Sequence, residues 1–233
     1  MARPHTSQLL RMIVAGLVLT SAAACSTPPE QQLLKNYFLA SRVRDNVTLG
    51  NIATVGFNPT EQGTVENFTI TNATADQVVA LKVKELSQAV AEAQKAQEAF
   101  SAKKREFQDA NIEAIGKVIK AEAASAQLKG KDLEVQQAWT KWRQEEGDYA
   151  KKLNEARSAL TAERSTADVS LQGKNVDLTQ VDADITTREV SLDANVKTPQ
   201  GATEKKSMVI RLQKASAKGA QPIEGKWLIT GIK

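Results

Sequence analysis

A stretch rich in Ala, Lys, Glu and Gln runs from residue 76 to residue 166 without a proline, and it constrains the fold more than any other feature. Apolar or small residues recur in it mainly at alternating spacings of four and three, the heptad pattern of packed helices. The first series comprises Val79, Val83, Leu86, Val90, Ala93, Phe100 and Phe107, and the second comprises Val135, Trp139, Trp142, Tyr149, Leu153, Ala156 and Leu160. Lys129-Gly130-Lys131 separates the two series, so the sequence predicts an antiparallel, coiled-coil-like helical hairpin that turns near Gly130.

The two predicted helices differ in length. With the turn at the separating glycine, Leu160 lies opposite Phe100, and the second helix ends near Arg164. The start of the first helix, residues 77–93, then has no partner within the hairpin and is expected to pack on the globular part of the protein. A competing interpretation takes the alternation in Leu81–Lys84 as the end of a strand.

Polar residues interrupt both apolar series, and two tryptophans stand out in the second. The interruptions are Gln97, Lys104 and Asn111 in the first series and Glu146 in the second. Trp139 and Trp142 lie three positions apart near the predicted turn. They are either core residues of the hairpin or, where a ring faces outward, contact points for a partner.

Alternating apolar residues on both sides of the helical stretch predict strands of an antiparallel sheet. The predicted strands are Val65–Thr71, with Phe68 and Ile70 on one face, Val190–Val196, Met208–Leu212 and Gly225–Ile232, and Thr198–Gly201 is a predicted turn. Gln31–Arg44 is predicted to be an amphipathic helix that covers the sheet. Because neither piece alone could bury much surface, residues 31–75 and 167–233 are expected to form one α+β domain, interrupted by the hairpin of residues 76–166.

The N-terminal helix, the long strands and the last segment, Gly225–Ile232, resemble the NTF2-like (cystatin-like) α+β fold. The resemblance covers residues 30–75 and 184–233. It implies a helix packed on a curled sheet, and the family includes both enzymes and ligand-binding modules, so the fold does not define the function. The inserted hairpin is a departure from the family.

The first 25 residues have the features of an export signal. A basic segment, Met1–Arg11, precedes the short apolar segment Met12–Thr20, which is about half the length needed to span a bilayer. Small residues of a cleavage site follow at Ala22, Ala23 and Ala24, directly before Cys25. This order resembles the lipobox of bacterial lipoproteins, which implies a lipid on the Cys25 sulfur, a signal peptide over residues 1–24 and a tether over residues 25–30. The small residues also fit an ordinary signal-peptidase site, which leaves secretion as the alternative.

Reactive side chains are scarce in this chain. Its one histidine, His5, lies in the predicted signal, and its one cysteine is Cys25. The predicted mature chain therefore lacks the groups for histidine-based acid–base catalysis, for a Ser-His-Asp or Cys-His triad and for a zinc site of Cys and His. The net charge of +4 is evenly distributed and falls to +2 without the two arginines of the signal, which gives no footprint for nucleic acid. No enzymatic activity, metal or cofactor is expected.

The sequence thus predicts a lipid-anchored protein of the bacterial cell envelope with a structural or protein-interaction role. Its expected partners are the membrane, through the lipid, and a protein or a second copy, through the hairpin. Ser26 after the cysteine favours the periplasmic face of the outer membrane, with the inner membrane or secretion as alternatives. The alternative functions are a periplasmic adaptor of the efflux type, a holdase chaperone and a small-ligand-binding NTF2-like domain.

Overall fold

The computed structural model describes residues 29–219 and 221–233, and this part of the chain forms six helices and six strands. The helices are α1 Pro29–Val43, α2 Asn46–Ile52, α3 Pro59–Gln62, α4 Val83–Ala110, α5 Ile112–Ala123 and α6 Lys131–Ser170. The strands are β1 Thr64–Ala73, β2 Gln77–Ala80, β3 Ala183–Lys197, β4 Thr203–Ala217, β5 Ile223–Glu224 and β6 Leu228–Ile232. The predicted α+β class, with a helical hairpin interrupting an antiparallel sheet, is confirmed. The predicted cleavage residues and Cys25 lie outside the described residues.

A long ribbon of two strands, β3 and β4, forms the centre of the sheet. Its strands pair without interruption from Ala183 with Ala217 to Lys197 with Thr203. The predicted turn joins them, and Gly201 adopts a φ of +92° there, which a residue with a Cβ rarely tolerates. β1 and β2 pair one after the other along the outer edge of β3, and β5 and β6 do the same along β4.

Two irregularities in β1 set which of its side chains face the core. The register with β3 shifts between Val65 and Asn67 and again between Ile70 and Asn72. Each shift adds one residue to β1, so the core-facing positions are spaced by three, two and three residues instead of by two. Val65 is buried, and Phe68 and Ile70 pack against the core, as their predicted common face requires. Such bulges also increase the local twist of a strand, which helps the sheet to curl.

The ribbon is covered on opposite faces at its two ends. From the middle of the ribbon toward the turn, Val190, Val196 and Ile210 belong to a core that includes Leu34, Tyr37 and Phe38 of α1. Near the open end, Ile185 and Ala215 belong to a second core. The two cores use residues of opposite parity in strands that pair without a shift, so they lie on opposite faces of the sheet. α1 therefore covers one face, and the base of the hairpin covers the other.

The base of the hairpin differs from the prediction in two respects. Residues 77–80 form strand β2, and α4 begins only at Val83, because the backbone of β2 pairs with residues 184–187 along the edge of β3. Val83 is 2% exposed and packs in the second core, so the predicted contact of the first helix with the globular part is confirmed. α6 continues six residues beyond Arg164, to Ser170, because its last turn buries Ala167 and Ser170 against the sheet.

The last predicted strand, residues 225–232, is interrupted by the end of α6. The Ser170 hydroxyl accepts a hydrogen bond from the Ala215 N–H at 2.9 Å and donates one to the Lys226 carbonyl at 2.7 Å. It thereby occupies the place that a strand residue would take beside β4, between β5 and β6. Gly225 is required at this point, since a Cβ there would lie 2.3 Å from the Ser170 Oγ.

Among the described residues, no helix is both long enough and apolar enough to cross a bilayer.

Candidate interaction surface at the hairpin tip

The register of the hairpin is shifted from the predicted one. The Phe100 ring lies 4.7 Å from the Tyr149 ring, and the Phe107 ring lies 5.8 Å from the Trp142 ring, measured between centroids. The prediction that Phe100 faces Leu160 is therefore wrong. The prediction assumed that the first helix is continuous to the turn, whereas α4 ends at Ala110 and the chain forms a further helix before α6 begins.

Two of the polar interruptions in the apolar series meet each other inside the hairpin. The Lys104 amine lies 2.5 Å from a Glu146 carboxylate oxygen and 5.0 Å from the centroid of the Trp139 ring. Lys104 is 9% exposed, so any other register would leave its charge buried without a partner. The pair therefore specifies the alignment of α4 with α6, as single polar residues do in coiled coils.

A third interruption, Asn111, lies where the first helix breaks. Its side-chain amide donates a hydrogen bond to the Phe107 carbonyl at 2.9 Å. This bond satisfies one of the carbonyls that the end of a helix leaves free. α4 stops here, and α5 starts at the next residue in a new direction.

The direction of α5 follows from its ion pairs with α6. Lys117 pairs with Asp132 at 3.6 Å, and Glu122 pairs with Arg143 at 2.6 Å. These partners advance in the same direction along both helices, whereas the contacts of α4 with α6 advance in opposite directions. α5 therefore does not continue the antiparallel path of α4 but packs across the first part of α6, and the end of the hairpin is a small three-helix cluster.

The two tryptophans lie inside this hairpin. Trp139 is 8% exposed and packs with Ile115 and Val118 of α5. Trp142 is half-buried, and its ring centroid lies 5.1 Å from that of Phe100. Their positions agree with the core interpretation, and the role of Trp139 and Trp142 as partner contacts stays a prediction.

The outward side of α5 carries an apolar surface that was not predicted from the sequence. Ile112 is 70% exposed and Ile119 is 53% exposed, and the seven-residue spacing places them on one side of the helix. Gly116 and Ala123 lie on the same side, and no charged residue interrupts this row, which we call the tip stripe (Ile112, Gly116, Ile119, Ala123). The signal for it is that α5 has two apolar faces, and a hairpin can bury only one of them.

The charges around the tip stripe cancel. Between residues 112 and 134 there are four lysines and four acidic residues, so this segment has no net charge. Three of these groups, Lys117, Glu122 and Asp132, are held in the ion pairs between α5 and α6. A surface of this kind attracts a partner through apolar contact and gives little electrostatic steering.

Perturbed titrating groups in the described residues have structural roles. The hydroxyl and then the amide of Thr48 hold the pKa of the Asp45 carboxyl below its usual value, because Asp45 caps α2. The hydroxyl and amide of Thr179 lower the pKa of Asp177 in the same way. Burial raises the pKa of the Tyr37 hydroxyl, which donates a hydrogen bond to the Val55 carbonyl at 3.0 Å. Across residues 29–219 and 221–233, no three Cys, His, Asp or Glu side chains are grouped to hold a metal ion.

Comparisons with protein-family models, with curated proteins and with solved structures give no match to this chain. The resemblances to bacterial lipoproteins and to the NTF2-like fold therefore stay predictions. The place of an NTF2-like pocket, between α1 and the sheet, is filled by side chains. These are Leu34, Tyr37 and Phe38 of α1, which are at most 5% exposed.

Proposed function

We propose that this chain is a lipid-anchored protein of the bacterial cell envelope whose helical hairpin presents the tip stripe to a protein partner. The observation that carries the proposal is the exposure of Ile112 and Ile119 at the far end of the hairpin. Exposure of a second apolar face of α5 to water is unfavourable for the stability of the isolated chain. An open apolar face on a projecting element is typical of an interaction site.

The shape of the hairpin supports a role as an arm. α6 has 40 residues, which corresponds to about 60 Å at 1.5 Å per residue. Its last turn is tied to the sheet through Ser170, and the start of α4 is packed in the second core at Val83. Both ends of the arm are thus fixed to the globular part, so the tip stripe is held away from it in a defined position.

The envelope location is supported by the order of the N-terminal segment. The basic and apolar segments, the cleavage residues Ala22–Ala24 and Cys25 stand directly before the first helix of the described fold. Two or three acyl chains on Cys25 would hold the protein stably on a membrane. The Cys25→Ser variant is then expected in the soluble fraction or as an unprocessed precursor, and its normal processing and membrane retention would contradict the anchor.

Photocrosslinking in cells tests the tip stripe. A benzophenone amino acid at Ile119 is expected to give one defined adduct, and the same group at Ala96, an exposed position in α4, is the matched control. Equal or absent adducts at both positions would contradict a docking role for the tip stripe. A broad mixture of adducts at Ile119 would contradict a defined partner and would favour a holdase.

Two glycines provide a second test that separates binding from stability. Gly116 lies in the tip stripe and Gly147 lies in α6, and a Cβ at either position would meet no atom within 4 Å. Alanine at either position should stabilise its helix by about 0.5–1 kcal/mol. Gly116→Ala alone is expected to reduce the Ile119 adduct, because it adds a methyl group to the contact surface. An equal effect of Gly147→Ala would contradict direct contact.

A further inference from the structure

A second exposed surface lies on α1 and on the start of α2, and it is made of side chains that the sheet does not cover. Leu39 is 50% exposed, Val43 is 62% exposed and Val47 is 77% exposed. Basic residues lie among these aliphatic side chains and are exposed as well. We call this surface the anchor face, and it consists of Lys35, Leu39, Arg42, Val43, Arg44 and Val47.

The basic residues of the anchor face lack acidic partners in the described part of the chain. Of the nearby acids, Glu30 pairs with Arg188, and the Asp45 carboxylate accepts both bonds from Thr48. Glu66 lies across a shallow groove that Lys35 and Arg42 also line, at more than ion-pair distance from both. The anchor face therefore combines three basic side chains that form no ion pair among the described residues with exposed aliphatic side chains, and the carboxylates of Asp45, Glu61 and Glu66 lie at its edge.

The predicted lipid places this surface close to a membrane. Only three residues, Ser26, Thr27 and Pro28, separate Cys25 from Pro29, the first residue of α1, so the two are four residue steps apart. A fully extended chain of that length spans at most about 14 Å. With Cys25 acylated, the start of α1 cannot lie farther than this from the lipid surface, and the 15-residue helix itself is only about 22 Å long.

We propose that the anchor face lies on an anionic lipid membrane, with Leu39, Val43 and Val47 in the headgroup region and the three basic residues on lipid phosphates. This combination of aliphatic and basic side chains is the chemistry of helices that bind in the plane of a membrane. The inference rests on the lipid anchor in the proposed function. It also orients the protein, because the hairpin base covers the opposite face of the sheet from α1 and so starts on the side away from the membrane.

The test uses the full chain, extracted from cell membranes and reconstituted into vesicles of phosphatidylcholine with about one quarter phosphatidylglycerol. A thiol-reactive fluorophore is attached at Val43→Cys or, as the matched control, at Val79→Cys. Val79 is 64% exposed and pairs with Ile185, which places it on the face of the sheet opposite α1. Brominated lipids quench only a fluorophore that touches the bilayer. We expect quenching at position 43 to exceed that at position 79 by about twofold or more, because only the anchor face reaches the headgroup region.

Two further variants test the chemistry of the contact. Arg42→Glu combined with Arg44→Glu, or vesicles of phosphatidylcholine alone, should remove most of the difference between the two positions. Equal quenching at positions 43 and 79 would overturn the proposal, and so would a difference that ignores lipid charge. Shielding of position 43 from aqueous iodide in intact envelopes, without quenching by brominated lipid, would show a protein on this face and would also overturn it.

Labelling of the unmodified chain separates a failure of the anchor from a failure of the face. Cys25 is the only cysteine, so an acylated chain takes up no fluorophore, and labelled variants carry one per chain by mass spectrometry. Labelling of the unmodified chain would refute acylation and the lipid anchor. The same comparison of positions 43 and 79 would then be made in a Cys25→Ser background, where equal quenching refutes the anchor face independently.

Discussion

Removal of one hydroxyl group should destabilise the junction between the helical hairpin and the sheet. Ser170 is 2% exposed, and its hydroxyl both accepts from the Ala215 N–H and donates to the Lys226 carbonyl. Ser170→Ala leaves the shape of the site almost unchanged but removes both bonds. The Ala215 amide then has no partner along β4, because the neighbouring strand is interrupted at this point.

The magnitude follows from the burial of the groups left behind. Ala215 is 0% exposed, and an unsatisfied buried donor or acceptor costs about 1–3 kcal/mol. Lys226 is only partly buried, so the loss of the bond to its carbonyl is expected to contribute less. We therefore expect a loss of about 2–4 kcal/mol in the free energy of unfolding, which corresponds to roughly 4–16 °C in Tm for a chain of this size.

Thermal and urea unfolding measure the loss, and amide hydrogen exchange at Ala215 locates it. Ser165→Ala is the matched control, because Ser165 is exposed in the same helix and bonds only to the Ala162 carbonyl of its own turn. That control should change stability by no more than about 0.5 kcal/mol. Equal stabilities of the two variants, or unchanged exchange protection at Ala215, would refute the structural role assigned to the Ser170 hydroxyl.

Four other outcomes are expected. Gly225→Ala should destabilise the same junction by about 2 kcal/mol or more, since its Cβ meets two backbone oxygens at 2.8 Å, and an unchanged urea midpoint would contradict this. Glu146→Ala should lower the free energy of unfolding by about 1–2 kcal/mol, because it leaves the Lys104 amine unpaired. The exchanged pair, Lys104→Glu with Glu146→Lys, should recover part of this loss. Additive effects of the two substitutions in a double-mutant cycle would contradict the coupling. Gly147→Ala should raise the Tm, because the position is an unobstructed helix interior, and a lower Tm would show a hidden contact. Because the pKa of Asp45 is lowered in the folded state, its carboxylate stabilises the fold at pH values above the ordinary carboxyl pKa. This contribution is lost as the pH falls through the folded-state pKa. NMR should therefore show that α2 frays in acid before the sheet unfolds.

The strands of the ribbon could be predicted because apolar and polar residues alternate in each of them. Val190, Leu192 and Val196 alternate with polar residues, and all three are at most 1% exposed in the core under α1. The same reasoning could not show that the far end of the ribbon is covered on the other face. That face is covered by Val83 and Ala167, and Val83 lies about a hundred positions before the strands in the sequence. Local periodicity does not identify such distant partners.

The hairpin could be predicted as an architecture but not in its register. Lys104 and Glu146 first look like weak points of the apolar series, and only their spatial contact shows that they specify the alignment. The break at Asn111 carries no glycine or proline, and a single asparagine within a long helical run is a weak signal for the start of α5. The interruption of the last strand was equally unpredictable, because it depends on Ser170 approaching from another element. The candidate site was missed for the same reason, since it lies on α5.

The hairpin also has a consequence for how the chain folds. Ala80 at the end of β2 pairs with Asp184 near the start of β3, about a hundred positions later, and a flexible loop of that length would slow their encounter considerably. The two arms of the hairpin can assemble through contacts that are local at the tip and then zip toward the base. Zipping shortens the effective loop until β2 and β3 meet at its end. Formation of the hairpin therefore brings β2 and β3 together during folding.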